Sequence, residues 1–362
     1  MKKSFYEMSI TELASDFAKE EINPKAASLL YRHFYKEKST EACAHHNLSK
    51  KAKAYLSDHY SFDLPIINNV HISEDLTVKF LIEFNDGEKV ESVLIPFQNK
   101  YTLCLSTQVG CAMKCSFCFT GTQGLKRQLS TSEIIGQFIL AWNWLKINRP
   151  MESKTQQLKN IVFMGQGEPL HNFDAVKKAC EILLDQHGAS LGCQKITIST
   201  AGYLPGLKRW NEEMPGVNLA LSLHSVVEEK RNELIPINKR FPLNEIMDYI
   251  RTIPLARKQY IIFEYLLIKD FNDSIEDAIA CGEYLKDVQA IINLIPFNPF
   301  PGSLYQKPDA KTVLAFQQKI TEYNIPALLR TTKGDDILAA CGQLNTKINS
   351  LTSLNSSPAK RL

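Results

Sequence analysis

Residues 101–118 read YTLCLSTQVGCAMKCSFC, an apolar, β-branched run followed at once by three cysteines within eight residues. A short strand that empties into a loop of soft ligands is the unit from which the fold can be read outward. Runs of the same kind recur at 160–165 (NIVFMG), 195–200 (KITIST), 217–224 (VNLALSLH), 260–268 (YIIFEYLLI), 290–297 (AIINLIPF) and 327–332 (ALLRTT). Helical segments lie between them. One opens at the capping box Ser130-Thr131-Ser132-Glu133 and carries Ile134, Ile135, Phe138, Ile139 and Trp142 on one stripe. Strands that alternate with helices make a parallel sheet of βα units, so the class is α/β. Six or seven units suggest a full or partial (βα) barrel, with the chemistry at the C-terminal ends of the strands.

Upstream, Ser9-Ile10-Thr11-Glu12 is a second capping box and Pro24 can open a further helix. Residues 1–70 are therefore expected to form a small helical accessory domain. Two alternating runs flank Asn85-Asp86-Gly87, a hairpin signal that makes residues 71–98 a β-hairpin linker. The barrel and its C-terminal segment fill 99–345, and the Ser- and Asn-rich residues 346–362 read as a disordered tail. Of the 362 residues, 44% are hydrophobic and 22% charged, which excludes a disordered or collagenous chain. A net charge of +3 neither demands nor excludes a nucleic-acid partner. No run of 18 apolar residues exists for a membrane span. MKKSFYEMSITELASDF has no apolar stretch behind its lysines, so the expected compartment is the cytoplasm. In that reducing compartment the nine cysteines are not a disulfide framework.

Cys111, Cys115 and Cys118 have the spacing C-x3-C-x2-C, which suits zinc or an iron–sulfur cluster. Structural zinc wants four ligands, and no Cys or His lies between Cys118 and His171. Three ligands fit a four-iron cluster with one iron left open. Cys43, Cys180, Cys193 and Cys281 match no motif and read as structural.

This spacing resembles that of the radical S-adenosylmethionine (SAM) superfamily. The segments QVGCAMKCSFCFTGTQG (108–124), GQGEPLHN (165–172), ISTAG (198–202), LSLHS (221–225), LIPFNPFPG (294–302) and KGDDILAACGQL (333–344) resemble the RlmN/Cfr family of RNA adenosine methylases. The likeness runs from about Glu91 to Leu344. It implies a radical SAM barrel, a 4Fe-4S cluster on Cys111, Cys115 and Cys118, and two SAM molecules per turnover. The positions that match SAM contacts are Gly167, Glu168, Ser199, Ser222, Leu223, His224 and Asn298. A carboxylate such as Glu168 can accept hydrogen bonds from an ammonium group. The resemblance makes Cys341 the methyl carrier and Cys104 the cysteine that resolves a protein–RNA crosslink through a transient disulfide. Glu91 becomes the candidate general base, although in an alternating strand it reads as an exposed-face residue. Arg330 and Lys333 are candidate phosphate contacts. The implied partners are large-subunit ribosomal RNA, tRNA and a low-potential electron donor such as flavodoxin. Gly167-Glu168-Pro169-Leu170 and Phe297-Asn298-Pro299 resemble the branch that methylates adenosine C2. Phe297 departs from the Trp common there. The rivals are methylation at C8, as in the Cfr branch, and a noncatalytic zinc-bearing RNA-binding protein.

Overall fold

The computed structural model describes residues 2–37, 47–98, 100–149, 157–257 and 259–346. Cys43 and the tail from Lys347 lie outside the described residues. Helices α1 (Ile10–Lys19), α2 (Lys25–Tyr31) and α3 (Lys50–His59) come first. The Ser9 box caps α1 as read from sequence, with Ser9 Oγ accepting from Glu12 N and Glu12 reaching back to Ser9 N. Ten strands then form one sheet: β1 (Ile66–Ile72), β2 (Val78–Glu83), β3 (Lys89–Phe97), β4 (Lys100–Cys104), β5 (Gln157–Phe163), β6 (Ile196–Thr200), β7 (Asn218–Ser222), β8 (Ile261–Leu267), β9 (Ala290–Pro296) and β10 (Ala327–Leu329).

Their order across the sheet is their order along the chain. From β4 to β10 every neighbouring pair is parallel, and β1–β4 form an antiparallel meander. All seven parallel strands fall on the apolar runs read from sequence. Among the described residues β1 and β10 do not pair, so the barrel is partial and open. The hairpin does not stand apart: it continues the barrel sheet through the β3–β4 pairing, Val93 opposite Cys104.

The long helix α4 (Thr131–Asn148) covers one face of the meander. Phe80 meets Trp144 edge-on at 5.5 Å, and Ser92 Oγ donates to Gln137 Oε1 at 2.6 Å. Lys178 on the helix Phe173–Leu184 reaches Glu12 of α1 at 2.6 Å, which fastens the N-terminal helices to the barrel. On the other face of the meander, chain past β10 returns over the sheet. Residues 330–346 cross the C-terminal mouth of the barrel and dock on β2 and β3 at the opposite edge. We call this segment the strap. Ser73 Oγ donates to Asp336 Oδ1 at 2.5 Å, Gly334 N donates to Asp75 Oδ2 at 3.1 Å, and Asn345 N donates to Glu91 Oε2 at 2.7 Å.

The strap corrects one expectation. Glu91 is not on an exposed face: it is 0% exposed, and Lys79, on the same face of the neighbouring strand, is 2% exposed. Alternation is a guide to exposure only where one face meets water. Here α4 covers one side and the strap the other.

Candidate active site

Every residue singled out for the site lies at or beyond the C-terminal end of a parallel strand, save Glu91. Cys104 ends β4, and the three-cysteine loop follows it. Gly167 and Glu168 follow β5, Ser199 and Ser222 end β6 and β7, Leu223 and His224 continue from β7, and Asn298 follows β9. Parallel strands aim their C-terminal ends at one mouth, so residues from five βα units converge there.

The loop bearing Cys111, Cys115 and Cys118 is pinned from both sides. Ser116 N donates to Leu234 O at 3.0 Å, and Phe119 N donates to Gly342 O of the strap at 2.7 Å. The Phe117 ring meets His224 edge-on at 4.6 Å, and Phe119 stacks on Phe300 at 4.7 Å. Burial raises all three thiols, Cys111 up to about 12. Among the described residues no three His, Cys, Asp or Glu side chains are grouped as a single metal ion would need.

Gly167 has φ +105°, and a Cβ there would come within 2.6 Å of the Gln108 side chain, so only glycine fits. Glu168 Oε2 accepts from Ala201 N at 2.8 Å and Oε1 accepts from Leu170 N at 3.2 Å. Burial pushes the carboxyl up to about 7, against the opposing pull of those amides. His224 is buried with φ +56°, and its Nδ1 accepts from Leu266 N at 3.0 Å. Burial, with Arg231 nearby, depresses it to about 3, so it is a neutral ring that can only donate from Nε2.

Cys341 sits on the strap between the cluster loop and Cys104. Its carbonyl accepts from Asn298 Nδ2 at 3.3 Å, and Thr332 Oγ1 donates to Asn298 Oδ1 at 3.0 Å. Cys104 packs with Val93, Ala339 and Leu344. It stands in a row across four strands: Lys79, Val93, Cys104 and Val162. Each of Cys104 and Cys118 feels Cys341 or is felt by it electrostatically, as are Glu264 and Arg330. All of these cysteines are free thiols.

The comparisons with known proteins agree with this geometry. Residues 105–281 match the radical SAM superfamily. The dual-specificity RNA methyltransferase RlmN of Dinoroseobacter shibae is 43% identical over 305 residues, which span 83% of this chain and 77% of that protein. The protein of the same name from Paramagnetospirillum magneticum is 40% identical over 349 residues, 96% of this chain and 76% of that one. The chain belongs to the RlmN family. A solved radical SAM methyltransferase from Sphaerobacter thermophilus superposes with a TM-score of 0.87 at 32% identity, over 95% of this chain and 99% of that one. The protein is thus a SAM-dependent methyltransferase of the radical type. No helix among the described residues is long and apolar enough to cross a membrane.

The site fits the cluster and cofactor that the RlmN family implies. It offers three thiols on one loop, a glycine cradle at Gly167, and a buried Gln166 Nε2 with no hydrogen-bond partner. Two residues of the site were not singled out from the sequence. One is Lys79, whose Nζ lies 3.1 Å from Glu91 Oε1 and donates to Leu338 O of the strap at 3.2 Å. Its signal was legible: Lys79 and Glu91 are opposite charges in paired strands on one face. The other is Arg231. Lys333, a candidate phosphate contact, lies 3.7 Å from Asp75 at one anchor of the strap.

Lys79→Met removes the charge that balances a buried carboxylate and an anchor of the strap at once. Breaking such a pair costs about 3–5 kcal/mol. We expect a loss of that size in denaturant unfolding. A change below about 1 kcal/mol would mean that the pair carries little of the strap's docking.

Proposed function

We propose that the protein methylates C2 of adenosine in large-subunit (23S) ribosomal RNA and in tRNA, in the cytoplasm. The name its relatives carry, dual-specificity RNA methyltransferase, supports an RNA substrate. The observation that carries the mechanism is the strap, which brings Cys341 beside both Cys104 and the cluster loop.

In this reading Cys111, Cys115 and Cys118 hold the 4Fe-4S cluster, and Gly167, Glu168, Ser199, Ser222, Leu223, His224 and Asn298 seat SAM. Cluster and SAM, when bound, supply a low-potential electron and a hydrogen-abstracting radical. Two SAM molecules are consumed per turnover, one as methyl source. The chain's own residues do the rest. Cys341 Sγ accepts a methyl group and presents its carbon to the adenine ring, whose C2 is too electron-poor to attack a methyl donor directly. Cys104 then attacks Cys341 Sγ. The bond from that sulfur to the transferred carbon breaks, the carbon leaves with the bonding electron pair delocalised into the adenine ring and takes up a proton to become the methyl group, and the two cysteines are left as a disulfide. The cytoplasmic thiol pool returns them to the reduced state, and a one-electron carrier of the flavodoxin kind supplies the cluster. Glu91 takes the proton that leaves the ring.

The test is nucleoside mass analysis. The protein is reconstituted anaerobically with iron and sulfide, then given SAM, a reductant and ribosomal RNA or tRNA that lacks the modification. The expected product is 2-methyladenosine. 8-Methyladenosine would keep the mechanism and overturn the position. Neither product, with an intact cluster, would overturn the substrate assignment.

A further inference from the structure

Arg231, in the helix Glu228–Leu234, is the largest fully buried side chain among the described residues. Its Nε donates to Asn238 Oδ1 at 2.8 Å, Nη1 to Ser222 O at 2.6 Å and to Leu223 O, and Nη2 to Ala201 O at 3.1 Å. Every one of these partners is neutral. No Asp or Glu among the described residues is within ion-pair distance of it. A buried charge without a counter-ion is expensive, and proteins keep one only where something else balances it. Burial lowers this guanidinium to about 10, which still leaves it a cation near neutral pH.

The surroundings say where the missing negative charge belongs. Ala201, Ser222 and Leu223, whose carbonyls hold the guanidinium, lie at the ends of β6 and β7, and Ser222 and Leu223 are themselves among the residues assigned to SAM. The cluster loop packs on the same helix: Ser116 N bonds Leu234 O, one turn beyond Arg231. Met113, Leu234, Ile235 and Ala201 form one apolar cluster against which Cys111 and Cys115 pack.

We propose that Arg231 is the fixed countercharge of the iron–sulfur cluster, held beside the cluster loop by Asn238 and three backbone carbonyls so that the cluster is easier to reduce. This rests on the reading that the three-cysteine loop holds the cluster. Three thiolates make such a cluster anionic, and the electron delivered by a low-potential one-electron donor adds a further negative charge. A cation fixed in a low-dielectric interior stabilises the reduced state more than the oxidised one, so it raises the reduction potential. No bond is made or broken.

Three variants separate charge from architecture. Asn238→Asp keeps the hydrogen bond to Arg231 Nε and sets a carboxylate against the guanidinium; Asn232, which now accepts from Asn238 Nδ2 at 2.8 Å, can turn its amide to donate. Arg231→Gln removes the charge. Arg231→Lys keeps the charge and loses the forked hydrogen bonding. The readout is the cluster's midpoint potential, from an electron paramagnetic resonance titration with dithionite, alongside iron content. We expect Asn238→Asp and Arg231→Gln to shift to more negative potential at full iron content. Arg231→Lys should stay near wild type while unfolding at lower denaturant. Loaded Asn238→Asp protein with the wild-type midpoint would overturn the proposal, even if Arg231→Gln fails to fold. So would a Lys variant displaced as far as the Gln variant. Wild-type protein that takes up no iron would instead sink the cluster assignment itself.

Discussion

Cys341→Ala is expected to yield a folded, iron-loaded protein that transfers no methyl group. Cys341 holds the strap through its main chain, by the bond from Asn298 to its carbonyl. Its neighbours Gly342, Gln343 and Leu344 dock through Phe119 N, Pro299 O and Thr120 Oγ1. The side chain is exposed, so its loss opens no cavity. In the proposed mechanism, what disappears is the atom that carries the methyl carbon. Removing a covalent participant commonly costs on the order of 10⁴-fold or more. The measurement is methylated nucleoside per cluster, with Cys111→Ala as the contrast that should lose iron. Methylated RNA from the Cys341→Ala protein at even a hundredth of the wild-type rate would rule out the methyl carrier.

Cys104→Ala should fail differently, by stopping after the carbon has joined the RNA. The protein would then accumulate with RNA covalently attached through Cys341. Cys104 is well placed for the release step, because Ala339 and Leu344 of the strap pack against it on either side of Cys341 in sequence. Its thiol is pushed up to about 12 by burial, with the Cys341 charge adding to the effect. Only the thiolate attacks, and below the pKa its fraction rises about tenfold per pH unit. In the wild type, release of the crosslink should therefore speed up as pH rises from neutral. Denaturing gels with and without ribonuclease read the adduct. A Cys104→Ala protein that turns over without any adduct would remove this role.

How far the sequence carried the reading depended on what covered each element. The parallel strands were legible as apolar, β-branched runs between helices, the inner ones because they are largely buried, although β10 leaves Leu328 and Leu329 exposed. The capping boxes at Ser9 and Ser130 were legible because they act within one turn. Cys111, Cys115 and Cys118 stood out by spacing alone, whereas Cys341 and Cys104 became a pair only through the family resemblance. Nothing local marks them, since 237 positions separate them along the chain. Glu91 was misread because its cover, Asn345, comes from the far end of the chain. Arg231 was invisible for a related reason: three of its four partners are backbone carbonyls, and carbonyls have no sequence signature.

The strap also bears on how the molecule assembles. Because strand order follows chain order, most sheet contacts join neighbouring βα units and can zip up progressively with short loops to close. The strap's contacts are of another kind: Ser73 meets Asp336 across 263 positions, and Glu91 meets Asn345 across 254. Contacts so distant in sequence are rewarded only after both the meander and β10 exist. The barrel is thus a scaffold that can form first, and on the proposed mechanism catalytic competence is a late event that follows when Cys341 is tied across the mouth. Backbone hydrogen exchange at Asn345 should accordingly outpace that at Leu94 in the sheet beneath it, the strap opening as a unit of its own.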